Sequence, residues 1–316
     1  QHHEMVRAPL RERMRLYAAG PSINIIATYL ALLLLSAAAT GLVASSSGVY
    51  ASGIIADEGA EESGLLPYEI ITHIDGEAIS EYSDFSYEMS DLSAGDVAVF
   101  TVLSHVDSQG ERTQRDILVI LGDRYDYYIG LCDGDSDCIS ETEGILDELG
   151  IEQGDAFLGV SGLRSTSTTV DMYSSITSSE RGLLENTLVT GLAPLGMIGV
   201  PIAYDGQTML LEEREMLQAG DGIVASALGT DGMLMLFDFL FWMVWINFLL
   251  GFANLIPMIP FDGGHIVKDG VHSVLSRLVK GANPLRIESI AGRISSMSSF
   301  VILFIVMLPI ILPRLV

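Results

Sequence analysis

The residues with the clearest potential for chemistry occur in the sequence NLIPMIPFDGGH, which follows an apolar stretch in the C-terminal part of the chain. Pro257 and Pro260 lack backbone N–H donors, so we expect a helix to end here and the backbone to unwind. Unwound backbone at membrane depth is tolerated only where it lines a protein-walled cavity, and a carboxylate in such a place is a candidate functional group. Asp262 is that carboxylate, and the glycines after it, Gly263 and Gly264, would let a ligand or a second backbone come close. The alternative is an exit turn in which Asp262 is solvated at the cytoplasmic surface.

Three apolar stretches are long enough, or nearly so, to cross a bilayer. Residues 21–43 contain no charged residue, residues 233–256 contain only Asp238, and residues 297–313 are at the short end of the required length. Arginines precede the first stretch, and arginines and lysines separate the last two. The positive-inside rule makes both of these regions cytoplasmic. The sequence therefore predicts a multi-pass integral protein of the cell membrane, with an extracytoplasmic block between the first two spans.

A further apolar stretch, residues 188–203, is interrupted by glycine and proline. If it crossed the bilayer, the acidic segment that follows it would be cytoplasmic, against the charge rule. We therefore expect a loop or a re-entrant segment packed near the membrane.

The net charge of −25 is concentrated in the predicted exterior block, because residues 45–232 hold 35 of the 41 acidic residues and six of the 16 Lys and Arg. An acidic chain does not neutralise phosphates, which excludes a nucleic-acid-binding protein. The block is too rich in apolar residues for a disordered tail, and two cysteines are too few for a disulfide framework. Two lysines against 14 arginines on so acidic a surface are typical of a halophilic organism, where salt screens self-repulsion.

The first part of the exterior block is predicted to be a small β-rich domain, with strands in GVYASGIIA, DVAVFTVLSHV and RDILVIL. The segment GLLPYEIITHIDGEAI resembles the carboxylate-loop half of a PDZ domain through Gly64, Leu65, Ile74 and Gly76. It departs from that pattern where Tyr68-Glu69 replaces Gly-Asp. The resemblance implies a groove that binds an extended peptide by strand addition, formed by those four residues. A generic small β-domain is the alternative.

The second part of the block contains both cysteines, in CDGDSDC. A disulfide between Cys132 and Cys138 is expected outside the membrane. Alternating aspartates suggest a calcium loop as an alternative, but Cys138 and Gly144 occupy the positions where an EF-hand has Gly and Glu. Residues 156–164 could return a strand to the preceding domain.

The NLIPMIPFDGGH sequence closely resembles a motif of the site-2 proteases, membrane-embedded zinc metalloproteases that cleave transmembrane segments of other proteins. Asn254, Pro257, Asp262 and Gly263 match its pattern Asn-x-x-Pro-x-x-x-x-Asp-Gly, in which the Asp is a zinc ligand. By resemblance, Asn254 faces the active site and hydrogen-bonds the substrate backbone or the developing oxyanion. Alternatively, Asn254 and Asn247, which are seven residues apart, could form hydrogen bonds between packed helices.

A second family motif, Gly-Pro-x-x-Asn, occurs as Gly20, Pro21 and Asn24. The order of helix, exterior block and second helix is also that of the family. The family's HExxH motif, which supplies two His ligands and the catalytic Glu, is absent from this sequence. The most similar stretch begins at His3, and there Arg7 occupies the position of the second His of HExxH. We expect the helix carrying HExxH to lie upstream of Gln1.

The resemblance implies a Zn²⁺ cofactor held by Asp262 and two upstream histidines, and the chain alone is expected to be inactive. His265 and His272 offer an alternative zinc site with Asp262. A catalytically inactive, membrane-anchored PDZ-like peptide-binding protein is the alternative function.

The predicted fold is a polytopic α-helical membrane core with an inserted extracytoplasmic PDZ-like α+β domain. The segments are predicted in this order: an Arg-rich cytoplasmic segment (1–20), a first span (21–44), a PDZ-like domain (45–125), an acidic extension (126–232), a second span (233–256), a motif-bearing cytoplasmic segment (257–296) and a third span (297–313).

Overall fold

The computed structural model describes residues 9–177, 181–258, 260–278 and 284–311. The chain divides into two compact units. The helical unit comprises Gln1–Leu35, Ser179–Ile202 and Phe237–Val316, and the sheet unit comprises Ser36–Ser178 and Ala203–Leu236.

The helical unit is built from long apolar helices. Its helices are α1 (Leu10–Ala39), α7 (Leu183–Met197), α8 (Val200–Ala203), α10 (Ile223–Leu255), α11 (Asp262–Leu278) and α12 (Pro284–Ile311), of which α1 and α10 continue into the sheet unit. In α10 the helical geometry is interrupted at Gly229, where φ is 66°. Glycine adopts this left-handed conformation without the clash that a Cβ would cause.

Three helices in the described part of the chain are long and apolar enough to cross a membrane, at Arg11–Ala39, Leu184–Ala203 and Ile223–Leu255. Two of them coincide with the predicted first and second spans, which makes this a candidate integral membrane protein. The predicted third span falls in α12, but its last residues, 312–313, lie outside the described residues.

The boundaries of the first span differ from the prediction. Helix α1 begins at Leu10, inside the predicted cytoplasmic segment, because the arginines and leucines before Gly20 are good helix formers. It ends at Ala39, and residues 42–44 form a strand instead of completing the span. For residues 188–203 we expect a loop or a re-entrant segment, and of these two alternatives the loop is wrong, since most of these residues belong to α7 and α8.

The described residues of the sheet unit form ten strands and several short helices. The strands are β1 (Leu42–Ala44), β2 (Val49–Ile54), β3 (Ile70–Ile74), β4 (Glu77–Ala78), β5 (Val97–Leu103), β6 (Gln114–Ile120), β7 (Gly122–Asp123), β8 (Ala156–Phe157), β9 (Val160–Ser165) and β10 (Leu217–Ala219). The helices are α2 (Gly59–Glu62), α3 (Tyr82–Ser90), α4 (Arg124–Gly130), α5 (Ser136–Leu149), α6 (Asp171–Ser174) and α9 (Leu211–Arg214).

The main sheet has the antiparallel order β6-β5-β3-β2-β9, with β4 paired to β3. Alternate residues of β5 and β6 are buried, as a sheet with one solvated face requires. Phe85 of α3 packs onto this core together with Phe100 and Val119. The sheet extends beyond the predicted domain boundary at residue 125, because β9 pairs with β2 along its length.

A buried polar cluster connects the sheet to the segment that follows α8. The Tyr50 hydroxyl donates a 3.0 Å hydrogen bond to Glu213 Oε1, and Arg164 lies 3.4 Å from the same oxygen. Burial, and then the Glu213 charge, raise the pKa of Tyr50 to about 12, so the phenol stays protonated and remains a donor. Tyr68 stacks on Tyr50 with 5.8 Å between ring centroids.

The first part of the predicted acidic extension forms α4 and α5, which are joined through the cysteine loop. Cys132 and Cys138 form a disulfide. The Asp135 carboxylate accepts hydrogen bonds from the backbone N–H groups of Asp137 and Cys138, which caps the N-terminus of α5. Asp135 therefore has a structural role that does not require a calcium ion.

Candidate active site

The candidate site lies where α10 ends and α11 begins, entirely within the helical unit. The last residue of α10 is Leu255, and α11 starts at Asp262. The chain between them contains Pro257 and Pro260 and makes short turns, such as the hydrogen bond from Phe261 N to Met258 O at 2.9 Å. The predicted unwinding is therefore present, and it puts the Asp262 carboxylate in the first turn of a helix. The positive end of the helix dipole stabilises a negative charge there.

Glycine is required at position 263 because the backbone there lies very close to the backbone at the end of α10. A Cβ at this position would overlap the carbonyl oxygens of Leu255 and Ile256. Gly264 is buried as well, and its carbonyl accepts a 3.2 Å hydrogen bond from Ser295 Oγ of α12. Because backbone atoms cannot rotate away as a side chain can, only glycine lets the start of α11 pack directly against the end of α10.

The two motifs seen in the sequence meet in space. A Cβ added to Gly20 would be 3.6 Å from Asp262 Oδ2, so the carboxylate lies directly beside the backbone of α1. One turn further along α1, Asn24 packs against Gly251 of α10, where an added Cβ would be 3.3 Å from the Asn24 Cβ. Glycine at these two contacts allows the helices to approach closely, as small residues do in membrane proteins.

Two further contacts continue the α1–α11 pairing. The rings of Tyr17 and His265 stack with centroids 5.0 Å apart and an interplanar angle of 15°. Arg13 Nη2 lies 3.4 Å from Asp269 Oδ1, and the Asp269 side chain is only 10% exposed. Within the described residues, Arg13 Nε and Asp269 Oδ2 are buried without hydrogen-bond partners. The ion pair is thus the main electrostatic compensation for both charges.

These two contacts were missed by reasoning from the sequence, although a signal was present. Arg13, Tyr17, Gly20 and Asn24 are spaced four, three and four residues apart, which puts them on one face of a helix. Asp262, His265 and Asp269 have the matching spacing of three and four. The arginine-rich segment before the first span therefore also contacts α11 and helps to position the site, in addition to indicating the orientation of the span.

The two asparagines of α10 have different surroundings. The Asn247 amide donates a 2.8 Å hydrogen bond to the Met243 carbonyl one turn earlier in its own helix. Asn254 is half-buried in the last turn of α10 and lies three residues after Gly251, on the side that faces α1.

The described residues fit a catalytic zinc only in part. Such an ion takes three protein ligands and keeps one open position. Asp262 offers one carboxylate with open space at Gly20, but no group of three or more His, Cys, Asp or Glu side chains within the described ranges could hold a metal. The alternative of Asp262 with His265 and His272 is therefore wrong. His2 and His3 lie outside the described residues.

The geometry agrees with a comparison to known families. The model of peptidase family M50 matches residues 1–302. This chain belongs to peptidase family M50. The family consists of zinc-dependent intramembrane metalloproteases, to which the site-2 proteases belong and whose substrates are membrane proteins. No curated protein matches the chain.

The residues expected to bind peptide in this M50 chain lie in the sheet unit and have mainly structural roles. Leu65 and Ile74 are buried in its core, at 4% and 2% exposure, so their side chains pack inside the domain. Gly64 and Gly76 adopt φ values of 74° and 91° in turns. Tyr68, which replaces the usual glycine, also has a positive φ of 64°, a conformation that favours glycine.

An open cleft of the sheet unit lies elsewhere, between α3 and β9. Its volume is about 740 Å³. The cleft is lined by apolar and polar groups in similar measure, and its apolar side chains include Phe85, Met89, Phe157, Val160 and Leu163. Strand β9 is an edge strand in the described part of the sheet, so one side of its backbone is available for pairing.

Proposed function

We propose that this M50 family member cleaves transmembrane segments of other membrane proteins, with Asp262 as one ligand of a catalytic zinc. The observation that carries the proposal is the position of the Asp262 carboxylate beside Gly20, which joins the two motifs in one site. The other two ligands would come from histidines outside the described residues. When bound, zinc supplies a Lewis acid to amide hydrolysis.

The remaining residues of the site would position the substrate. Asn254 is suitably placed to hydrogen-bond an extended substrate backbone, because it is half-buried at the end of α10 beside the unwound segment. A transmembrane helix must be locally unwound before its carbonyl groups become accessible, since intrahelical hydrogen bonds otherwise occupy them. The unwound chain around Pro257 and Pro260 would leave room for this.

Asp262→Asn is expected to abolish cleavage of transmembrane substrates by the full-length protein and to remove its bound zinc. A neutral amide is a much weaker zinc ligand than a carboxylate. Zinc affinity and activity should therefore fall by more than the roughly 10–100-fold that follows the loss of a residue that only hydrogen-bonds a ligand. Zinc content by atomic absorption and cleavage of a membrane-embedded reporter measure the two effects. Asp238→Asn, in the preceding helix α10, is the control and should retain both. Full zinc content and full cleavage in Asp262→Asn would refute the assignment.

We also propose that the sheet unit is a PDZ-like domain on the extracytoplasmic side, which binds an extended peptide in the cleft between α3 and β9. The apolar side chains in the lining, the position of β9 at the edge of the described sheet and the cleft volume of about 740 Å³ support this proposal. This volume is within the range of ordinary ligand sites. Binding at this cleft would control which substrates reach the membrane site.

The cleft can be tested on the full-length protein with phage-displayed random peptides. The wild type should enrich peptides of shared sequence pattern, and Met89→Asp should lose this binding because it puts a charge among the apolar side chains of the cleft. Tyr87→Asp is the control, since Tyr87 is on the same helix, is 67% exposed and does not line the cleft. No enrichment, or equal binding by both variants, would contradict peptide binding here. If peptide binding persists in a protein without zinc or cleavage, the inactive peptide-binding alternative is favoured.

A further inference from the structure

Residues 183–203 form a helical segment whose role the protease chemistry does not explain. Only Glu185 is charged between Leu183 and Ala203. The helix over Leu184–Ala203 is 20 residues long and apolar enough to span a bilayer. By length and composition alone it would be counted as a transmembrane helix.

The flanking chain excludes a crossing. Segments on both sides of residues 183–203 belong to the sheet unit. Strand β1, which precedes the helix, pairs with β10, which follows it, through Leu42 and Ala219 and two further residue pairs. The Tyr173 hydroxyl, before the helix, donates a 3.0 Å hydrogen bond to the Thr208 carbonyl after it. Residues that are directly hydrogen-bonded to one another lie on the same side of a bilayer, so the chain enters and leaves on the same side.

Two side chains from candidate spans attach the segment within the helical unit. The Tyr29 hydroxyl of α1 donates a 2.8 Å hydrogen bond to the Gly191 carbonyl. Trp245 Nε1 of α10 donates a 3.2 Å hydrogen bond to the carbonyl of Ile198, the C-cap residue of α7. A carbonyl at a helix end has no partner within the helix. Inside a bilayer, where no water is available, such a group must be satisfied by protein, and Trp245 does this.

The surface of the segment matches lipid instead of water. Its side chains that remain exposed include Leu184, Leu188, Leu192, Leu195 and Ile202, each at least half exposed. A helix that lies on a membrane surface keeps a strongly polar face, and this one does not have such a face. The lipid-exposed residues of α1 and α10, to which it is bonded, are of the same type.

We propose that residues 183–203 are a re-entrant membrane element, surrounded by lipid and attached to α1 and α10 by Tyr29 and Trp245. It gives the sheet unit a membrane attachment in addition to the two spans. Tyr29 follows Gly20 by nine residues, about two and a half helical turns, and so faces away from the Asp262 side of α1. The element is therefore separate from the protease site, and its test does not depend on catalysis.

The test uses single cysteines in the full-length protein in sealed vesicles, labelled with a membrane-impermeant maleimide added to either side. The native Cys132 and Cys138 are in a disulfide and do not react. Met172→Cys and Gln207→Cys, on the two flanks, should react from the same side. Leu188→Cys and Leu192→Cys should react from neither side until detergent is added. Flanks that react from opposite sides, or Leu188→Cys and Leu192→Cys reacting in intact vesicles, would overturn the proposal.

The attachment is tested by a second substitution in the Leu192→Cys protein. Tyr29→Phe removes only the hydroxyl, so after detergent is added the cysteine should react about fivefold faster than without this substitution, the effect of one hydrogen bond. Tyr82→Phe, at a 52% exposed tyrosine of the sheet unit, is the matched control and should change nothing. Unchanged reactivity in Tyr29→Phe would show that Tyr29 does not hold the element.

Discussion

Gly263→Ala is expected to inactivate the protein and to destabilise its helical unit by roughly 1–3 kcal/mol, the usual cost of overpacking. The new Cβ would overlap the carbonyl oxygens of Leu255 and Ile256, and these backbone atoms cannot move without displacing the end of α10. Relief of the clash would shift the start of α11, and Asp262 is its first residue. Thermal unfolding in detergent and cleavage of a membrane-embedded reporter measure the two effects.

The same helix offers a control for this substitution. Gly270 is also in α11, and a Cβ added there meets nothing within 4 Å. Gly270→Ala should therefore stabilise the helix by about 0.5–1 kcal/mol, because alanine loses less backbone entropy than glycine on folding. If both variants behaved alike, the close approach at Gly263 would not explain its presence in the motif.

Asp269→Ala should lower the free energy of unfolding by about 3 kcal/mol, because it leaves the Arg13 guanidinium buried without its counter-ion. We choose the lower end of the range for buried pairs because 23% of the Arg13 side chain is exposed. Asp269 is two turns from Asp262 on the same helix, so the pair also holds α11 in register with α1. Denaturation monitored by tryptophan fluorescence measures the loss.

Two variants distinguish a buried ion pair from general sensitivity of α11. Arg13→Met combined with Asp269→Leu removes both charges and should recover most of the stability. Lys268→Ala breaks a 3.9 Å pair with Glu288 whose side chains are 36% and 57% exposed, and should cost less than about 1 kcal/mol. A double variant as unstable as Asp269→Ala would show that the charges are not the reason for the effect.

Much of the membrane architecture and the central carboxylate could be predicted from the sequence alone. Hydrophobic length identified α1 and α10, because a bilayer selects long apolar helices irrespective of their neighbours. The two prolines predicted the unwound segment before Asp262, because proline removes a hydrogen-bond donor wherever it occurs. The strands β2, β5 and β6 lie at the predicted sequences, because alternation of apolar residues is a local property.

Contacts between distant segments could be found only in the tertiary structure. The sequence singled out Gly20 and Asp262 separately, but their meeting depends on how α1 and α11 pack. The predicted peptide-binding residues Leu65 and Ile74 proved to be core, because an apolar pattern identifies burial without identifying which face of the sheet stays open.

The apolar segment at residues 183–203 is the clearest example of this difference. Its composition is that of a membrane helix. Composition alone cannot show whether the segment crosses the bilayer or returns to the side from which it entered. The pairing of β1 with β10 makes that distinction, since it joins residues 42–44 to residues 217–219 on one side of the membrane. Hydropathy is a sum over neighbouring residues, whereas the side on which a chain emerges is decided by contacts between residues far apart in sequence.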